Sequence, residues 1–343
     1  MADITVRGAG IFGLSIAWAL VQRGAAVQLI DPNGPASGSS GGVVGALAPH
    51  VPENWNAKKA FQLESLLMAE AFWAEVSEAG GLDPGYRRSG RLQPVADECA
   101  LELARARALS AAELWRGQAI WEVVEAEGGP WEPATPTGFL IRDSLSALVH
   151  PRQACAALCA ALQSRGVTCV PDAPTRGITI WATGVAGLED LGKDRPRAVG
   201  AGIKGQAALI AHDARGAPQL FAEGLHIIPH LDGTTAIGST SEREFASGHA
   251  TDAQLASVIA KARTAVPALT DAAVLQRWAG VRPRARSRAP ILGHWPDRPG
   301  HFVANGGFKI GFGMAPKVAD VMADLVLEGR ETIPACFRVE DSL

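Results

Sequence analysis

The sequence predicts an α/β protein: a discontinuous Rossmann-type dinucleotide domain with an inserted α+β domain built on a mostly antiparallel sheet. Three observations predict it. Gly8-Ala9-Gly10-Ile11-Phe12-Gly13 follows a short apolar run and opens a stretch of helical spacing, and Asp31 closes the next apolar run about twenty residues on. A second strand, glycine-rich turn and helix pattern returns over 302–327. Between them lie apolar runs at 203–210, 225–229 and 234–238, with Asp232-Gly233 as a hairpin signal.

The elements follow in order. Residues 4–6 read as a strand, 14–22 as a helix stopped by Gly24, and 27–30 as the next strand, which completes a βαβ opening. Residues 35–45 form a loop rich in Gly and Ser. Phe61, Leu66, Phe72 and Val76 recur at near-helical spacing and predict a long helix over 59–79. A strand at 90–95 and a helix at 100–112 come next, then a proline-rich turn at 130–137. A helix at 151–164 leads to a buried strand at 178–182 that ends in Thr183-Gly184. After the antiparallel run, a helix is expected over 251–266, a strand over 302–305 and a last helix over 316–327, where Pro316 marks the start and Gly329 the end. This order divides the chain into a dinucleotide domain of 1–80, 145–195 and 280–343, and an inserted substrate domain of 81–144 and 196–279.

Each part of the glycine turn has a physical reason. Gly8 permits the tight turn, Gly10 lets the backbone approach a pyrophosphate, and Gly13 lets helix and sheet pack closely. The helix start, at Ile11 and Phe12, presents free N–H groups and a positive dipole end to phosphate. The Asp31 carboxylate accepts hydrogen bonds from a ribose and repels a 2′-phosphate.

Composition excludes several classes. Of 343 residues, 47% are hydrophobic and 20% charged, which argues for a buried core and against disorder. The formal net charge of −3 gives no electrostatic case for nucleic acid. No apolar run is long enough to span a membrane, and the start, MADITVRGAG, shows no basic leader. Five cysteines without a CxxC pair read as reduced thiols, no metal site is expected, and a cytoplasmic protein is.

Further motifs point to one family. These are the small-residue loop Ser37-Gly38-Ser39-Ser40-Gly41-Gly42, the strand end Trp181-Ala182-Thr183-Gly184, Gly205-Gln206 after Lys204, and Gly238-Ser239-Thr240-Ser241-Glu242. Gly280-Val281-Arg282-Pro283 and the run Gly306-Gly307-Phe308-Lys309-Ile310-Gly311-Phe312-Gly313 complete the set. Together they resemble the D-amino acid oxidase and glycine oxidase (DAO) superfamily of FAD-dependent oxidoreductases, over nearly the whole chain. Lys204 stands where the family usually carries Arg, and Tyr86 is the only tyrosine, so the active-site tyrosines of some relatives are not all present.

The resemblance implies FAD as cofactor, held by Gly8, Gly10, Ile11, Phe12, Gly13, Asp31, Ser39, Ser40, Gly42, Thr183, Gly184, Gly306, Gly307, Lys309, Ile310 and Gly311. It implies that Arg282 grips a substrate carboxylate through its planar fork, with His50 and His226 facing the substrate. The implied reaction is oxidation of the C–N bond of glycine, a D-amino acid or an N-methyl amino acid, by hydride transfer to flavin N5, with oxygen or a quinone as final acceptor. Such chemistry needs no strong base, in keeping with the lack of a Ser/His/Asp or paired-carboxylate set. Lys204 and Lys309 are candidates for activating oxygen, and Arg284, Arg286 and Arg288, at every second residue, would share one face of an extended chain and suit an extra anionic group. Arg7, just before the first glycine, has no evident role at this level. Three other readings stay open: an NAD-dependent dehydrogenase, a non-catalytic flavin-binding partner module, and an enzyme acting on a modified-nucleoside amine. A homo-oligomer is compatible with all of them.

Overall fold

The computed structural model describes residues 3–343; Met1 and Ala2, the first residues of the expected dinucleotide domain, lie outside them. Two sheets organise the chain. The first has six strands in the order Ile291–His294, His301–Asn305, Ile178–Trp181, Asp3–Arg7, Ala26–Ile30, Cys169–Val170. All its pairings are parallel except that of Ile291–His294 with His301–Asn305. Parallel strands buried on both faces read as continuous apolar runs, which is why Ile4, Val6, Leu29, Ile30 and Ile180 are nearly inaccessible.

Helices Ile11–Gln22 and Gly311–Glu328 pack against this sheet, and Ala57–Gly80 and Pro151–Ser164 pack on them and on each other. The first is apolar all round, with Leu14, Ile16, Trp18 and Leu20 at most 2% exposed, so it lies inside the core rather than on its rim. Arg23, just past its end, reaches Asp320 at 2.5 Å and Asp324 at 2.6 Å on the last helix. The second helix begins earlier than its apolar pattern suggests, because the Asn56 side chain accepts the Lys59 N–H and caps it. The last helix likewise starts at Gly311 and carries Pro316 within it. The small residues before the proline let this end press against the first helix, where a Cβ on Gly311 would lie 3.5 Å from Ile11 Cγ2.

The second sheet has eight strands: Val274–Ala285, Gly200–Ile210, Thr235–Gly238, Leu225–Pro229, Gln219–Ala222, Arg91–Pro94, Phe139–Asp143 and Trp121–Glu125. Every neighbouring pair is antiparallel except Gln219–Ala222 with Arg91–Pro94. The helix Ala253–Ala265, capped by Asp252, buries Leu255, Val258, Ile259 and Ala262 against Ile210, Leu220, Ile227 and Ile237.

The long edge strand Val274–Ala285 has no counterpart among the expected elements, and residue 280, the expected domain boundary, lies inside it. It pairs with Gly200–Ile210 from Gly200↔Ala285 to Ile210↔Val274. Pro283, which lacks an N–H, is tolerated because the strand is at the sheet edge. The expected common face of Arg284, Arg286 and Arg288 does not form, because the strand stops at Ala285. Arg286 instead donates to the carbonyl oxygens of Ser342 and Leu343, and Arg288 turns back with a positive φ of 58°. No helix among the described residues is long and apolar enough to cross a membrane.

Candidate active site

Both sheets contribute walls to one cavity of about 960 Å³. From the six-stranded sheet come the carboxyl ends of Asp3–Arg7, Ala26–Ile30 and Ile178–Trp181, where ligands of open parallel sheets bind. From the eight-stranded sheet come Phe221, His226, Ser239, Trp278 and Arg282.

Gly8 adopts φ +101°, and a Cβ there would lie 2.3 Å from the Ala182 carbonyl oxygen. A Cβ on Gly13 would lie 1.8 Å from the Gly8 oxygen, so Gly13 serves close packing and does not itself line the cavity. Gly10, the N-cap of Ile11–Gln22, supplies no side-chain cap, which leaves the helix start directed at the cavity. Ser40 Oγ accepts the Ile11 N–H at 3.0 Å and ties the small-residue loop to the turn. Asp31 accepts the Ala9 N–H at 2.8 Å and the Asn33 N–H at 3.0 Å, and its carboxylate stands on the cavity wall. Arg7 has a place after all: its guanidinium carbon lies 5.2 Å from the Trp181 ring centroid, and Nη2 donates to Thr175 Oγ1 at 2.8 Å.

Arg282 is 9% exposed. Nη2 donates to Ser239 Oγ at 2.9 Å, while Nη1 is buried without a partner. Burial, partly offset by Glu242, draws its pKa down to about 10. Its side chain crosses Gly205 on the neighbouring strand, where a Cβ would fall 1.5 Å from Nη1. Trp278 shares that strand face; Gly280 and Gly42 leave room for its ring, with hypothetical Cβ contacts of 2.4 and 3.3 Å.

His226 lies on the wall with Nδ1 unpartnered and its ring 4.8 Å from Phe221. Burial, with smaller contributions from Arg91 and Lys309, lowers its pKa to about 3, so the ring is neutral. His50 does not line the cavity: its ring Nδ1 and backbone N–H both meet Gln62 Oε1. Lys204 is also away from it, 3% exposed and paired with Glu242 at 3.4 Å and Asp252 at 3.3 Å. His230, fully buried, donates Nε2–H to the Val43 oxygen at 2.8 Å and so anchors the loop behind Gly42.

Of the expected cofactor residues, Gly8, Gly10, Ile11, Phe12, Asp31, Ser39, Ser40, Gly42, Thr183, Gly184, Gly307, Lys309 and Gly311 line the cavity, whereas Gly13, Gly306 and Ile310 stand behind it. Sequence reasoning did not single out Phe221, Trp278, Asn305 or His249, which also line it. A period of two counted back from Arg282 would have found Trp278. Asn305 bridges the turns, donating to the Gly184 oxygen at 2.8 Å and accepting the Gly306 N–H at 2.7 Å. Among the described residues no cluster of His, Cys, Asp and Glu suits a metal.

A glycine turn at a helix start that faces the cavity, with an acid at the next strand end, fits a dinucleotide cofactor. Fold and site together define a cofactor-dependent oxidoreductase. Residues 3–325 match the DAO family, FAD dependent oxidoreductase, and the chain belongs to that family. Its cofactor is therefore FAD, which sets aside the NAD alternative. The chain is 23% identical over 367 residues to glycine oxidase of Geobacillus kaustophilus, covering 96% of this chain and 94% of that protein. It is 34% identical to glycine oxidase of Pseudomonas aeruginosa over 132 residues, 38% of this chain but only 36% of that protein. The match to the bifunctional ThiO/ThiG protein of a Nostoc species spans 53% of its length at 25% identity. Two solved structures share the fold at TM-score 0.85 and 20% identity: glycine oxidase from Geobacillus kaustophilus, with 99% of both chains covered, and iminodiacetate oxidase from Chelativorans sp. BNC1, with 98% of both.

Proposed function

We propose that this protein uses FAD to oxidise the C–N bond of a small amine or amino acid that carries a carboxylate. One observation carries the reading: the cavity that holds the glycine turn is also lined by Arg282, a largely buried guanidinium held by Ser239 Oγ at 2.9 Å. A buried cation with no carboxylate bonded to it is costly unless an anion joins it. The names glycine oxidase and iminodiacetate oxidase, borne by similar proteins, support a carboxylate-bearing amine.

In this reading the six-stranded sheet with its helices is the Rossmann-type FAD domain and the eight-stranded sheet is the substrate domain. Gly8, Gly10 and the helix start receive the pyrophosphate, and Asp31 the ribose. FAD, when bound, would supply the two-electron acceptor for oxidation of the carbon beside the neutral amine. Arg282 grips the carboxylate and thereby aims that carbon. Neutral His226 orients the amine by hydrogen bonding; with a pKa near 3 it does not carry off a proton. Phe221 and Trp278 exclude water. The imine product would hydrolyse in water, and oxygen or a quinone would serve as the final electron acceptor. The five cysteines are free thiols, which supports a cytoplasmic setting.

The test is the visible spectrum of the purified protein, repeated anaerobically with glycine, sarcosine, D-proline, D-alanine and an acidic D-amino acid. Flavin bands that bleach with one of them are expected. Flavin bands that no amine bleaches would overturn the catalytic reading and favour a binding module.

A further inference from the structure

The loop that leaves the short helical turn Ser39–Gly41 forms part of the cavity wall: Gly42, Val44, Gly45 and Ala46 all line it. Three of the five residues from Gly41 to Gly45 are glycine. Close approach requires two of them. A Cβ on Gly41 would fall 2.3 Å from the Ala36 oxygen, and one on Gly45 1.9 Å from the Val149 oxygen. A segment so rich in glycine has little shape of its own, so contacts from outside must hold it.

Three donors do so, at every second carbonyl. Arg152 Nε donates to the Gly41 oxygen at 2.8 Å, His230 Nε2 to the Val43 oxygen at 2.8 Å, and the Val149 N–H to the Gly45 oxygen at 3.0 Å. None of the three lines the cavity, so the wall is held from behind. The two side chains among them are fixed in turn. The His150 ring packs on that of His230 at 4.5 Å, and His150 Nδ1 accepts the Gln153 N–H at 3.4 Å. Burial keeps His230 neutral, with its one ring hydrogen on the nitrogen that meets the carbonyl. Arg152, in the first turn of Pro151–Ser164, also donates Nη1 to Gln276 Oε1 at 3.0 Å. Gln276, Trp278 and Arg282 follow at even spacing on one strand. One guanidinium thus joins the wall loop to the strand that carries Arg282.

We propose that Arg152 and His230 are positioning residues for the oxidation: by holding Gly41 and Val43 they set the wall from Gly42 to Ala46 against which FAD lies, and Arg152 fixes its distance from Arg282. The proposal rests on the reading of the chain as an FAD-dependent amine oxidoreductase, and neither residue touches the cavity itself. Small displacements matter here, because a misplacement of about 1 Å can cost about 100-fold in rate.

The experiment compares Arg152→Met, His230→Leu and His230→Gln with the parent protein. Each apoprotein is titrated with FAD, and each holoprotein is reduced anaerobically by the amine that bleaches the parent fastest. Arg152→Met and His230→Leu should each weaken FAD binding by about tenfold and slow the limiting rate of flavin reduction by about tenfold. The half-saturating amine concentration should change by less than about threefold, since Arg282 keeps its own strand. His230→Gln, whose amide N–H replaces Nε2–H, should return both quantities to within about threefold of the parent. Should His230→Leu not fold, Arg152→Met, at a half-buried position, and His230→Gln decide. Unchanged FAD affinity and reduction, with only a lower melting temperature, would make both residues structural and overturn the proposal. A loss in His230→Gln equal to that in His230→Leu would overturn it too, as would a loss confined to the half-saturating concentration. If no amine reduces the parent flavin, the oxidoreductase reading fails by itself and the FAD titrations still decide the wall.

Discussion

Gly205 and Arg282 occupy neighbouring strands, and the guanidinium lies where a side chain on Gly205 would begin: a Cβ would fall 1.5 Å from Nη1. Gly205→Ala should therefore displace Arg282 while the glycine turn stays intact. The expected outcome is a loss of about tenfold or more in kcat/KM for carboxylate-bearing amines, the cost of a misplaced ionic contact. Fluorescence titration of the apoprotein with FAD should show unchanged affinity.

Gly13→Ala should fail differently. The new methyl would meet the Gly8 oxygen at 1.8 Å and push the first helix off the sheet. FAD affinity should drop, and the melting temperature should fall by at least about 2 °C, read by differential scanning calorimetry. A normal holoprotein from this variant would refute the packing role given to Gly13.

Arg7→Ala removes a cation stacked at 5.2 Å on Trp181, on the wall shared with Asp31. Weaker FAD binding is expected, with bleaching by substrate unaltered once the cofactor is saturating. Equilibrium dialysis against FAD checks it.

Acid should destabilise the fold through two histidines. Burial holds His226 at a pKa of about 3 and His230 at about 4, below the ordinary value of about 6.5. The unfolded chain thus takes up protons that the folded chain refuses. Stability is complete above that ordinary value and is lost progressively as pH falls from it, to about 4 for His230 and about 3 for His226. Each ring adds a slope of about 1.4 kcal/mol per pH unit within its window. Urea unfolding across this range should show it, and His226→Gln should make the loss shallower.

Thiol reactivity offers a simpler check. Cys99 and Cys336 are exposed, whereas Cys155 is buried and Cys159 is pushed up to about 11 by burial. A thiol reagent should label Cys99 promptly in the native protein and Cys155 only after unfolding. Prompt labelling at Cys155 would contradict the packing of the helix that carries it.

The glycine turn was legible because its conformational demands write themselves into composition: a positive φ at Gly8 and a 1.8 Å approach at Gly13 exclude other residues. The strand Val274–Ala285 was not. Gly280, Pro283 and three arginines disguise it as loop, yet its pairing comes from the distant strand Gly200–Ile210. The helix Gly184–Gly192 was missed for a similar reason, since three of its nine residues are glycine. Among the histidines, residue type and neighbourhood in sequence did not separate His50 from His226. Only packing did, by giving His50 the Gln62 side chain and His226 the cavity wall.

The strand that carries Arg282 has one further consequence. It belongs to the eight-stranded sheet, and a few residues beyond its end the chain enters the six-stranded sheet at Ile291. Arg282 thus stands three residues before the connection that links the two sheets at this point. Its pairing with Gly200–Ile210 fixes the guanidinium within the eight-stranded sheet, so its distance from the glycine turn is set by how the two sheets meet across the cavity. A residue inserted between 286 and 290 should therefore leave both the arginine and the glycine turn in place.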